Sequence, residues 1–210
     1  MYASVVSFFQ EGGPFMYPIM AVLAVGLAIS LERYLYLTAS RGGNRRLLNK
    51  LLPLLQRGDL QQVYSATSKS RQAVGQILAQ GLARYKNTAS RDDIEAVMEE
   101  SMLEFIPRLE KRTHYVATFA NIATLLGLLG TIIGLIKAFT AVAAVDPALK
   151  AEILSTSISV AMNTTAFGLM VAIPLLLIHA VLQTKTAEII DSLEMATVKF
   201  VNLLMSKKSS

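Results

Sequence analysis

The sequence predicts an all-α integral membrane protein, with three transmembrane helices and long helices extending into the cytoplasm. Three observations predict it. Apolar residues make up 53% of the 210 residues and charged residues only 17%, with a mean hydropathy of +0.46. A soluble domain carries about 25% charged residues, and a disordered chain is poor in hydrophobes, so neither class fits. The charges are also segregated: apolar runs at about 15–31, 116–145 and 153–182 hold one charged residue among them, Lys137. Finally, the Lys and Arg residues concentrate in 38–115 and in the tail after 184, which gives the chain an orientation. Zero cysteines exclude disulfides, thiolate metal sites and cysteine nucleophiles, and two histidines leave little for a metal cluster. The expected class is a membrane protein that is not an enzyme.

The first transmembrane helix is assigned to residues 15–37; its apolar run, about 15–31, ends in Glu32-Arg33, with Tyr34 and Tyr36 just beyond that run. A bilayer core of about 30 Å takes about 20 helical residues, so this segment crosses. It has no preceding Lys or Arg and no small-residue cleavage pattern, so it does not read as a signal peptide. Residues 38–115 form a helical insert. Asp59 is placed to cap a short helix through about Ser68, and 71–86 repeats Val74, Ile77, Leu78 and Leu82 at helical spacing. Ser90, followed by Asp92, Asp93 and Glu95, starts another helix. From Ser90 no strong stop is visible before Asp146-Pro147, although Pro107 should kink the run, so one helix of about 50 residues and about 75 Å is expected. The second transmembrane helix is 116–145, and 146–152 is a turn in which Asp146 and Pro147 read as cap and first-turn proline. The third transmembrane helix is 153–183. The tail 184–210 continues as an amphipathic helix with Ile189, Leu193, Thr197, Phe200 and Leu204 on one stripe.

Thirteen Lys and Arg lie between Thr38 and Tyr115 and four more in the tail, while the first fourteen residues have none. The positive-inside rule then puts the N-terminus outside and both the insert and the C-terminus in the cytoplasm. The net charge of +5 is thus a signal of topology rather than of nucleic-acid binding. Within the membrane, one stripe of span two carries Ala120, Thr124, Gly127, Thr131, Gly134 and Ala138. Span three carries Ser157, Ala161, Thr165, Gly168 and Ala172 at similar steps. Such stripes serve close helix packing, or their hydroxyls line a polar path, and periodicity leaves both readings open. Thr131 and Thr165 both fall near mid-membrane, with Asn163 and Thr164 at the same level. No carboxylate sits there, so an ion carrier built on this chain needs an acid from another chain.

The segments NIATLLGLLGTIIGLIKAF (121–139), ISVAMNTTAFGLMVAIPLLLIH (158–179) and GGPFMYPIMAVLAVGLAISLERYLYL (12–37) resemble the ExbB/TolQ/MotA family of ion-driven motor subunits, ExbB most closely. The similarity covers the three spans, their order and the large insert. It implies an oligomeric bundle, a homopentamer in the lipid bilayer of the bacterial inner membrane, with a periplasmic N-terminus and a cytoplasmic C-terminus. The implied partners are an ExbD-like single-span protein, which supplies the ion-binding aspartate, and a TonB-like protein that opens outer-membrane receptors. No nucleic acid and no cofactor is implied. The transported ion it implies is H+ or Na+. The family's pore-facing threonines correspond to Thr131 and Thr165, with Thr164 as a neighbour; Gly127, Gly130, Gly134 and Gly168 are the helix-packing positions.

The sequence departs from the family in places. Val160 stands where some members carry a glutamate, and His179 where a tyrosine often follows the AIP motif. His179 reads as a hydrogen-bonded histidine near the helix end, and Lys137 as a side chain reaching toward the outer interface. Glu32-Arg33 is similar to the family's span-one ending, as a subunit-interface anchor or a plain interfacial pair. A TolQ-like role in outer-membrane maintenance and a passive oligomeric scaffold are the alternative functions. The GLLGTIIG run lies within an apolar span and reads as packing, not as a phosphate loop.

Overall fold

In the computed structural model, residues 12–87, 90–143 and 145–208 are described, and every regular element among them is helical. The order is α1 Met16–Arg57, α2 Leu60–Ser68, α3 Ala73–Asn87, α4 Arg91–Glu110, α5 Thr113–Ala143 and α6 Lys150–Lys208. Three runs, Met16–Arg57, Arg91–Ala143 and Lys150–Ser206, are long and apolar enough to cross a membrane. The prolines inside α1, α4 and α6 (Pro53, Pro107 and Pro174) do not end them.

Local chemistry sets most of the helix ends. Gly58, at φ 81°, closes α1: its N–H donates to the Leu55 carbonyl at 3.1 Å, and the Asp59 N–H donates to Leu54 at 3.1 Å. This pair of reversed bonds takes up carbonyls that the helix end would leave open, in a left-handed conformation that glycine adopts without strain. Asp59 then caps α2, its carboxylate accepting from the Gln62 N–H at 3.0 Å. Ser90 caps α4 through the Asp93 N–H at 3.5 Å. Both caps lie where the sequence places them.

Two expectations are corrected. The single helix expected from Ser90 to Asp146 is interrupted at Lys111-Arg112, where Lys111 has φ −46° and ψ 130° and Arg112 has φ 65°. The interruption follows Pro107 by one turn. The Leu109 carbonyl, which a continuing helix would bond to a later amide, accepts instead from Arg33 Nη2. Nor does Pro147 begin the third long helix. The Asp146 carboxylate accepts from the Ala148 N–H at 3.1 Å and its carbonyl from the Leu149 N–H at 3.0 Å, forming a turn, and α6 starts at Lys150.

The chain divides into two compact units. The first holds the described residues up to Glu32 together with Arg112–Val181. Its interior mixes small side chains with some large ones: Ala120, Ala123, Ala138, Ala161 and Ala172 are buried together with Met16, Ile19, Val116 and Leu175, whereas Leu125, Phe139 and Leu177 are 63–65% exposed. The glycine contacts between α5 and α6 are the packing expected of helices in lipid, where close backbone approach replaces the hydrophobic effect. Glu32 and Arg112 form a half-exposed pair at 3.8 Å in this unit.

The second unit holds Arg33–Lys111 and the chain from Leu182 onward. Here large side chains fill the interior, among them Leu51, Ile77, Leu78, Leu82, Met98 and Phe200. Burial of large apolar side chains makes this interior a hydrophobic core. Helix α3 packs on both α2 and α4. The stripe on α6 is buried at Ile189, Leu193, Phe200 and Leu204, with Thr197 only half-buried and Ala196 and Val201 completing the face. Arg33 is buried within the chain, 3% exposed, donating to the α4 C-terminus and lying 4.7 Å from the centre of the Tyr36 ring.

Candidate ion-pathway site

The site is built where α5 and α6 approach most closely in the first unit. A Cβ added at Gly127 would lie 3.2 Å from both the Thr164 carbonyl oxygen and the Thr165 Cα. One added at Gly168 would lie 2.7 Å from the Ala123 carbonyl oxygen. At Gly134 it would meet the Ala161 Cβ at 2.9 Å, and at Gly130 it would meet the Thr164 side chain and the Phe15 Cβ. The missing side chains let the two backbones touch, which places groups one turn away within hydrogen-bonding reach.

Thr131 and Thr165 are those groups. Their hydroxyl oxygens are in direct contact, although the residues are 34 apart in sequence. Thr165 Oγ1 donates to the Gly127 carbonyl at 2.9 Å; Thr131 Oγ1 lies 3.2 Å from the same oxygen and 3.3 Å from the Ala161 carbonyl. Each hydroxyl has one proton and two lone pairs. A proton must lie between the two oxygens, or their contact would be repulsive, so only one remains for a carbonyl. The pair therefore retains accepting lone pairs and carries no fixed charge. Both side chains are half-buried.

Thr164 points elsewhere. It is 2% exposed, and its hydroxyl lies 2.6 Å from the Gly12 carbonyl and 3.0 Å from the Val160 carbonyl. Gly12 was not among the positions that periodicity singles out; a backbone carbonyl ahead of a helix leaves no signal in residue type. Asn163 is half-buried, Lys137 is exposed and His179 is half-buried. No Asp or Glu occurs between Glu110 and Asp146 or between Glu152 and Glu188. Among the described residues no cluster of His, Cys, Asp or Glu could hold a metal ion.

Residues 69–195, more than half of the chain and including both threonines, match the model of the MotA/TolQ/ExbB proton channel family. The chain belongs to the MotA/TolQ/ExbB family. Curated relatives agree with it. A biopolymer transport protein ExbB homolog of Methanothermobacter thermautotrophicus is 27% identical over 197 residues, 92% of this chain and 68% of the relative. The biopolymer transport protein exbB1 of Vibrio cholerae is 30% identical over 171 residues, 79% of this chain and 73% of the relative. The biopolymer transport protein ExbB of Aquifex aeolicus is 33% identical over 111 residues, 53% of this chain and 72% of the relative. Family membership and three membrane-length apolar helices make the chain a multi-pass membrane protein of ExbB type.

Proposed function

We propose that this MotA/TolQ/ExbB-family chain is the channel-forming subunit of an ion-gradient-driven motor in the bacterial inner membrane. It works as a homo-oligomer of five copies with an ExbD-like single-span partner, and passes work to a TonB-like protein that energises transport across the outer membrane. The N-terminus is periplasmic and the C-terminus cytoplasmic. One observation carries the reading: a hydroxyl pair, Thr131–Thr165, lies between two apolar helices whose membrane-length segments contain no carboxylate.

The division of labour follows from charge. A carboxylate fixed on this chain would hold a proton or cation against its own gradient. One elementary charge crossing 100 mV yields about 2.3 kcal/mol, so tight static binding would stall a cycle. Two neutral hydroxyls with free lone pairs accept a hydrogen bond from a protonated acid on the partner and release it when the acid ionises. The ion is the proton, in keeping with the family's description. Thr164 stands behind the pair as packing support.

Gradient-driven flux in liposomes holding this chain and its single-span partner tests the reading. Thr131→Val and Thr165→Val remove the hydroxyls at nearly constant volume, and each should lower flux at least about tenfold, the effect of losing about 1.4 kcal/mol of stabilisation. Normal flux in both variants at normal assembly would overturn the pathway. Flux driven by sodium instead of protons would change the ion and keep the path.

A further inference from the structure

Within the second unit, α1, the start of α3 and the end of α4 enclose an open cavity of ≈ 310 Å³. Its polar lining is Tyr36, Ser40, Arg71, Gln72, Gln76 and Arg108, with no Asp or Glu. Among the described residues neither Arg71 nor Arg108 takes part in an ion pair. The Arg108 guanidinium lies 5.1 Å from the centre of the Phe105 ring, which steadies the group without neutralising it. A further guanidinium, with partners of its own, stands behind the wall. The buried Arg33 lies over Tyr36 and donates to the Leu109 carbonyl, and both of those residues also line the cavity.

The Arg71 and Arg108 guanidinium groups, which line one void, repel each other unless an anion joins them. Guanidinium forks match phosphate oxygens in two-point hydrogen bonds, and the hydroxyls and amides of Tyr36, Ser40, Gln72 and Gln76 supply neutral donors beside them. The volume is at the small end of ligand sites, which begin at about 300 Å³, and suits a phosphate with a short ester arm. Tyr36 follows the end of the first apolar run by five residues, about 7.5 Å along a helix. Basic pockets at that depth are suited to anionic headgroups.

We propose that this cavity binds a phosphate group, carried either by an anionic lipid or by a soluble phosphate compound. The site is separate from the ion pathway. Its test uses neither partner nor gradient, so its failure leaves the transport reading standing.

The experiment is thermal unfolding of the full chain in detergent, followed by circular dichroism, with phosphatidylglycerol, phosphatidylcholine or inorganic phosphate added at matched ionic strength. Phosphatidylglycerol should raise the midpoint in a saturable way. The Arg71→Gln/Arg108→Gln double variant should lower that apparent affinity at least about tenfold, since two charge-assisted contacts are lost. Arg71→Lys/Arg108→Lys should fall between, because charge remains while the fork is gone. Arg57→Gln, an exposed arginine outside the cavity, should behave as wild type. An arginine-dependent rise with phosphatidylcholine equal to that with phosphatidylglycerol assigns the phosphodiester itself. A rise with inorganic phosphate alone assigns a soluble source. Stabilisation by none of the three probes, or equal stabilisation of wild type and the double glutamine variant, overturns the proposal.

Discussion

Replacing Gly168 with alanine places one methyl group where α5 and α6 come closest. The added Cβ would sit 2.7 Å from the Ala123 carbonyl oxygen and 3.1 Å from the Gly127 Cα. Both neighbours are backbone atoms, so no flexible side chain can swing away, and the helices must separate by several tenths of an ångström. Two terms oppose each other. Alanine is favoured over glycine in a helix interior by about 1 kcal/mol, while overpacking costs about 1–3 kcal/mol. The net expectation is a loss of about 1 kcal/mol, with the upper range near 2. Gly42→Ala isolates the first term, because Gly42 is also within a helix but a Cβ there meets nothing within 4 Å. That variant should gain about 0.5–1 kcal/mol. The gap between the two variants therefore measures the cost of the close approach, about 1–3 kcal/mol. Unfolding of both proteins in one detergent, read by circular dichroism, gives the comparison. Flux should fall in Gly168→Ala, because Thr165 lies one turn away and the Thr131 contact depends on the same helix spacing. Equal stabilities for Gly168→Ala and Gly42→Ala would refute the close-contact argument.

Arg33→Met removes the donor to the Leu109 carbonyl and should cost about 1.5–3 kcal/mol, the range for a hydrogen bond to a charged group. Because that carbonyl ends α4 just before the Lys111-Arg112 break, the variant should also be cut faster by trypsin there; an unchanged cleavage rate would speak against the role. Thr164→Val keeps a methyl group near Gly130 but loses the bond to the Gly12 carbonyl, for a loss of about 1 kcal/mol in unfolding with flux retained. A large fall in flux at normal stability would instead put Thr164 in the pathway. Asp59→Ala removes the α2 cap and should cost about 1 kcal/mol, with no change in flux.

The features legible in the sequence are those set by neighbours along the chain. The Asp59 and Ser90 caps are of this kind, since the capping oxygen and the amide it accepts from are three residues apart. The stripes holding Thr131 and Thr165 are legible as well, through their helical period. The break at Lys111-Arg112 is not, because the group that satisfies the α4 end is Arg33, 76 residues from Leu109. Gly58 was readable in principle as a helix stop just ahead of Asp59, and its φ of 81° is the reason glycine suits that position. Thr164 and Thr165 are adjacent and chemically identical, so residue type cannot separate them. One step along a helix turns the chain by about 100°, and that rotation sends one hydroxyl to Gly12 and the other to Thr131.

The sequence by itself determined the helical class, the three membrane-length apolar runs, the absence of a carboxylate within them and the family. Each of these depends on composition, period or motif. Tertiary structure decided which side of each apolar run faces inward. In the first unit alanines and glycines fill the contact between α5 and α6 and many large side chains face outward, although Met16, Ile19 and Leu175 are buried. In the second, most of the core is large side chains such as Phe200, Met98 and Leu78. Composition registers both as apolar helix. The difference arises because helices in lipid gain from backbone closeness and hydrogen bonds, while those in water gain from removing large apolar surfaces from solvent. The same closeness brings two threonines from separate stripes into one hydroxyl pair.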